Sequence, residues 1–276
     1  MKVNNEDIVK LRKASGQPIM DCKKALQETN SFDEAFEFLR KTATEKIDSR
    51  RKDRIISEGR VIIKCSHEFP VYGSKIAMVS LLCETDFTAN SESFINALVN
   101  IAGLLIESNN DSMKLIKKDI EKVQAQTGER IQLGQTYVMT VPENASIGTY
   151  VHFDNKKAAI VQFEAKSNPA LLQKLGKEIA MHVVATKPMY LDKDEFKSSP
   201  GKVKISPPEG IENKPPEIQN KIMSGMLRKQ MKELVLLEQP FCLNEDITVE
   251  QAILEVRKEE MMEIELTKFR HIEIGE

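Results

Sequence analysis

The sequence has no tryptophan and only four tyrosines. Stacking platforms for single-stranded nucleic acid are hard to build from so few aromatic faces. Its four cysteines (Cys22, Cys65, Cys83 and Cys242) lie far apart and form no CxxC pair. That spacing offers neither a thiolate zinc motif nor a redox dithiol, and so few cysteines in a chain of this size do not suggest disulfides. No run approaches the roughly 20 apolar residues that span a bilayer. The start, Met1–Asp7, lacks the apolar stretch of a secretory signal. The expected address is therefore the cytoplasm, with no membrane partner. Neither charge dominates: 40 Lys and Arg against 42 Asp and Glu leave a formal net charge of −2 and a pI near 6.2. No global field draws the chain to nucleic acid or anionic lipid. The templates GxxxxGK[ST], GxGxxG and GxSxG are missing, and the histidines (His67, His152, His182 and His271) stand in separate segments. No catalytic residue, metal or cofactor is expected. A hydrolase using His182 with a distant carboxylate is the weakest rival reading.

What is present is an ordinary globular balance: 276 residues, 41% hydrophobic and 30% charged, enough for two or three domains. Residues 1–54 predict a small three-helix module with its linker. Asn5 can cap the first helix, Gly16 suits its end, Pro18 can open the second, and Asp33 can cap a third with Phe36 and Leu39 inward. Residues 41–58 are densely charged and read as a solvated helical linker. The cluster Arg50–Arg54 could touch phosphate, and it carries the alternative reading of an RNA- or ribosome-associated protein.

After Gly59 the period changes. Val61–Cys65 and Ile76–Cys83 read as an antiparallel hairpin, followed by helices from Ser93 and over Met113–Gln126 that stop at Gly128. The grammar then repeats: strand Gly148–Phe153, turn Asp154–Lys157, strand Ala158–Glu164, helix Leu171–Ala185. In both copies a glycine opens the first strand and a glutamate (Glu84, Glu164) ends the second. The fold class is therefore α+β: a three-helix module followed by a duplicated ββα core with antiparallel sheets. The division is 55–145 for the first core half, 146–186 with 234–276 for the second, and 187–233 for a helical and irregular insertion. Prolines punctuate 187–216. Ile218, Ile222, Met226, Leu227, Met231 and Leu234 form one face of a helix expected to pack into the core. Thr248 and Gln251 have capping-box spacing, and the alternating Lys268–Ile274 can return as a strand.

The link Glu84–Asn90 is the unusual segment. A buried strand ends and Asp86-Phe87 lies before the next helix. A phenylalanine there either folds into the core or projects. Residue type alone favours the core, because exposed aromatics cost solubility.

Several blocks, in order, are similar to one family. They are Val9–Arg12 with Met20–Leu26, Glu58-Gly59, Glu84-Thr85-Asp86-Phe87, Ala180-Met181-His182-Val183, Leu237–Phe241, and Ile274-Gly275-Glu276. The chain resembles bacterial-type translation elongation factor Ts along nearly all its length. The resemblance implies a UBA-like N-terminal module and a guanine-nucleotide exchange factor that is not an enzyme. Its partner would be elongation factor Tu, GDP-bound and nucleotide-free, whose magnesium site it disturbs, with no direct contact to nucleic acid. Carried over, Thr85, Asp86, Phe87 and Thr88 form the intruding motif. Leu11, Arg12 and Met20 would dock from the module, with Ile131 and His182 as further contacts. Thr88 stands where relatives commonly have valine. Ser15-Gly16-Gln17-Pro18 replaces a more usual Thr-Gly-Ala-Gly turn. The family's insertion often serves self-association. The prolines here leave homodimerisation open.

Overall fold

The computed structural model describes residues 4–50, 55–68, 70–166, 170–198, 208 and 210–275, the side chains of 43–50 and 213 excepted. Residues 51–54, which hold most of the Arg50–Arg54 cluster, lie outside the described residues, as do 199–207 of the insertion.

Three helices come first: α1 (Asn5–Ser15), α2 (Ile19–Glu28) and α3 (Phe32–Arg50). Asn4, rather than Asn5, caps α1, its Oδ1 accepting from the Asp7 N–H at 2.6 Å. The helix begins one residue earlier than the pattern suggests. Gly16, at φ 70°, ends it in the left-handed region that glycine tolerates. Ser31 Oγ, rather than Asp33, accepts from the first turn of α3, at Glu34 N. Leu11, Cys22, Ala25, Leu26, Ala35 and Leu39 fill the module's own small core.

Next come β1 (Glu58–Cys65), β2 (Lys75–Cys83), the single turn α4 (Asp86–Ala89), α5 (Glu92–Glu107), α6 (Ser112–Thr127) and β3 (Gln132–Thr140). The second half runs β4 (Ala145–Val151), β5 (Lys157–Ala165), α7 (Ala170–Thr186), α8 (Lys193–Ser198) and α9 (Pro216–Leu234). It closes with β6 (Pro240–Phe241), β7 (Asn244–Thr248), α10 (Val249–Glu259) and β8 (Ile264–Glu273). Thr248 and Gln251 make the expected reciprocal cap at 2.8 and 3.2 Å.

The main strands form two antiparallel sheets, ordered β1-β2-β3 and β4-β5-β8. Alternation then sets the layers. Ala77, Val79, Leu81 and Cys83 of β2 face α5 and α6, while Ile76 and Met78 face the other sheet. On β5, Ala159, Val161 and Phe163 meet α7 and α10, while Ala158 and Ile160 turn inward. The result is helix, sheet, sheet, helix. The middle strands are covered on both faces, so they read as continuous apolar runs.

Three expectations change. Each half has a third strand, and β3 was not foreseen. It is an edge strand whose face is largely exposed, so it lacks a strong apolar signature. Gly148 sits inside β4 instead of opening it. A Cβ there would lie 2.2 Å from the Gly176 carbonyl carbon of α7, so glycine permits close strand–helix packing. Finally, α9 buries none of its residues. The helical layers are already supplied by other elements, and only Met231 and Leu234 near its end reach the small cluster of Tyr190, Phe196 and Val235.

Candidate functional site

The Glu84–Asn90 link forms a rigid tip. Thr85 leaves β2 extended, at φ −129° and ψ 155°, and caps α4, its Oγ1 accepting from Thr88 N at 3.3 Å. Asp86, in the first turn, suits the positive helix end. Asn90 Nδ2 and the Asn90 backbone N–H both donate to the Asp86 carbonyl, at 2.8 and 3.0 Å. Ser91 Oγ donates to the Thr88 carbonyl at 2.8 Å and caps α5 by accepting from Phe94 N. Thr88 and Ala89 take the inward positions of this single turn. That leaves Asp86 and Phe87 facing out, and Phe87 is 85% exposed.

A second loop grips the tip from behind. Gly128 ends α6 at φ 70°, turning the chain toward β3. Glu129 Oε2 then accepts from both Glu84 N and Thr85 N at 3.1 Å, and its Oε1 accepts from Thr85 Oγ1 at 2.6 Å. In return Glu84 Oε1 accepts from Arg130 N at 2.9 Å. Below the tip, Cys83 Sγ donates to the Thr85 carbonyl at 3.1 Å. Burial, then the nearby Glu129 carboxylate, pushes the Cys83 thiol up to about 12. Sequence reading missed Glu129. The one available signal was the Gly128-Glu129 pair after a helix, which carries no partner information.

The neighbouring wall comes from the second sheet. Val61 N donates to the Asn155 carbonyl at 2.7 Å. Lys156 Nζ lies 2.6 Å from Glu58 Oε2. Its hydrogen bond to Glu58 raises the lysine pKa, with smaller contributions from Asp154 and Asp86. The turn also carries Phe153, 85% exposed and packed at a tilt against His152, with centroids 4.4 Å apart and planes at 48°. This aromatic too was not foreseen.

The remaining expected residues are dispersed. Met20 is 71% exposed, and Arg12 is also at the surface, on α2 and α1. Leu11, Ile131 and His182, expected as contacts, are buried among the chain's own side chains, Ile131 keeping 5% exposure. Leu11 is core to the module. Ile131 packs in the same cluster as Ala89 and Cys83, beneath the tip. His182 is fully buried in α7. Its Nε2 lies 2.9 Å from Gln239 Oε1, and its Nδ1 accepts from Cys242 N at 3.2 Å. Burial lowers its pKa, partly offset by the Gln239 hydrogen bond. Among the described residues, no group of three or more His, Cys, Asp or Glu could hold a metal ion, and no helix is long and apolar enough to cross a membrane.

A helical module, two packed antiparallel sheets and a braced, exposed acidic–aromatic tip define an α+β protein. The sequence profile of the family described as Elongation factor TS matches residues 84–276. A protein called elongation factor Ts from Wolbachia pipientis wMel is 30% identical over 295 residues, covering 100% of this chain and 99% of its own length. The protein of that name from Clostridioides difficile (strain 630) is 32% identical over 285 residues, covering 98% and 91%. The one from Rickettsia bellii (strain OSU 85-389) is 32% identical over 295 residues, covering 100% and 93%. The chain belongs to the elongation factor Ts family, and so to the factors of translation elongation in protein biosynthesis.

Proposed function

We propose that this chain is a guanine-nucleotide exchange factor for elongation factor Tu. It binds the GDP-bound partner, disturbs the magnesium and nucleotide site, and promotes GDP release so that GTP can enter. The observation that carries this reading is Phe87, 85% exposed on a one-turn helix fixed at both ends. A large apolar ring held out on so well-braced a turn is suited to enter a partner's pocket as an anchor.

In this reading Asp86 and Phe87 intrude, and Thr85 and Thr88 set their angle. Magnesium requires near-octahedral ligands at about 2.0–2.1 Å. Small displacements of those ligands by an inserted ring and carboxylate therefore weaken nucleotide binding steeply. No covalent chemistry is needed. The factor only has to bind the nucleotide-free partner better than the loaded one, and GDP must then weaken factor binding by the same free energy. Arg12 and Met20 supply a second contact from the module. Leu11, Ile131 and His182 act as internal supports. The division at 1–54, 55–145, 146–186 with 234–276, and 187–233 is the working one for truncation.

The test is release of fluorescent GDP from elongation factor Tu. The wild-type chain should accelerate it. Phe87→Ala should reduce the acceleration about 10–100-fold, the loss of one buried aromatic anchor, with circular dichroism unchanged. No acceleration by the wild type would overturn the assignment. Full activity of Phe87→Ala would overturn the wedge.

A further inference from the structure

We propose that Glu129 is a positioning residue: a latch that holds the Asp86–Phe87 tip in its binding geometry before the partner arrives. This inference rests on the exchange reading above. Its observation is separate, namely a carboxylate spent entirely on the root of the tip.

Both Glu129 oxygens accept from the two residues where β2 hands over to α4. The Glu84 and Thr85 N–H groups lie past the end of the β2 ladder and before the first helical hydrogen bond, so neither element satisfies them. An unsatisfied N–H in such a link can turn to water and take the tip with it. Glu129 removes that freedom. It also accepts from the hydroxyl that caps α4, so one side chain fixes both the strand exit and the helix start. Arg130 N, donating back to Glu84, closes the clasp from the loop between α6 and β3.

The latch touches no partner group, so its effect is on the fraction of molecules whose tip is ready. Apparent affinity falls in proportion to that fraction, while events after docking are unchanged. Glu129→Ala should therefore raise the concentration for half-maximal GDP release about tenfold. The maximal rate at saturation should stay within about twofold, because the bound partner then holds the tip. Glu129→Gln, which keeps an acceptor for the two N–H groups, should restore most of the affinity. Thr85→Val, which removes only the hydroxyl, should shift half-saturation in the same direction by about threefold.

Amide hydrogen exchange on the free full-length chain supplies the partner-independent readout. The Glu84 and Thr85 amides should exchange at least about tenfold faster in Glu129→Ala, with β2 still protected. Glu129→Gln and Thr85→Val keep the test decisive if Glu129→Ala does not fold. Unchanged half-saturation in the variants, alongside normal wild-type acceleration, would overturn the latch and leave the exchange reading standing. A drop in maximal rate with unchanged half-saturation would also overturn it. Failure of the wild type to accelerate release would overturn both, and the exchange data would still report whether the clasp forms.

Discussion

At the scale of single residues, chemistry and position pull apart. Phe87 belongs in a core by type, and only the local backbone puts it outside. Four residues of helix offer two inward places, and Thr88 and Ala89 hold them. That arithmetic was not legible in the sequence; only the family resemblance pointed outward. His182 shows the converse. A histidine between apolar neighbours was readable as structural, and the structure encloses it, with both ring nitrogens used by Gln239 and Cys242. A neutral ring serves that arrangement, since Nδ1 must accept. The folded-state pKa lies below the ordinary 6.5, so the unfolded chain binds the proton first on acidification. The stability His182 supplies is complete above pH about 6.5. It is lost as pH falls through that value toward the lower folded pKa. Thermal unfolding across this range should show the melting-temperature gap between wild type and His182→Gln narrowing with acid. A constant gap would mean the ring does not titrate between the two states.

At the scale of elements, most self-contained local signals held, although the caps at Asn4 and Ser31 fall one and two residues before the expected Asn5 and Asp33. Gly16 and Gly128 end helices, and the Thr248–Gln251 box opens one, because capping needs only neighbours. Signals that depend on a partner element did not hold. The amphipathic face of α9 was legible, but periodicity cannot say what covers a face, and among the described residues only its Met231 and Leu234 end is packed on a cluster. Strand β3 was missed for the related reason that an edge strand borrows its stability from β2 through backbone bonds that no side chain announces. Gly148 likewise read as a boundary when it is a contact. An added Cβ would sit 2.2 Å from a backbone carbon of Gly176, and backbone cannot swing aside as a side chain can. Gly148→Ala should therefore destabilise the second half by about 3 kcal/mol or more. A loss of unfolding free energy in urea of less than about a third of that would show that α7 can slide.

At the scale of the whole molecule, the duplication was legible and the way its halves meet was not. The two sheets face each other, and the module seats on α6 of the first half. That seat is largely polar. Gln17 Nε2 donates to the Ala125 carbonyl. Arg40 pairs with Glu37, and with Glu121 at 3.2 Å, while Lys118 lies 3.5 Å from Glu37. One helix therefore bears the module along its side and ends at Gly128-Glu129, where the tip is clasped. Both proposed contact regions thus hang on a common strut. Arg40 of α3 joins Glu37 on its own helix to Glu121 on α6, and its side chain is only 15% exposed. Arg40→Ala should weaken docking of the module by about 1–2 kcal/mol. Raising salt should act in the same direction on the wild type, since these partly exposed pairs are screened. The measurement is amide exchange in α6 and α1. Faster exchange there in Arg40→Ala, reproduced in the wild type by high salt and absent from β5, is the expected pattern. Equal protection at low and high salt would show that the seat is held by the Gln17 hydrogen bond and packing alone.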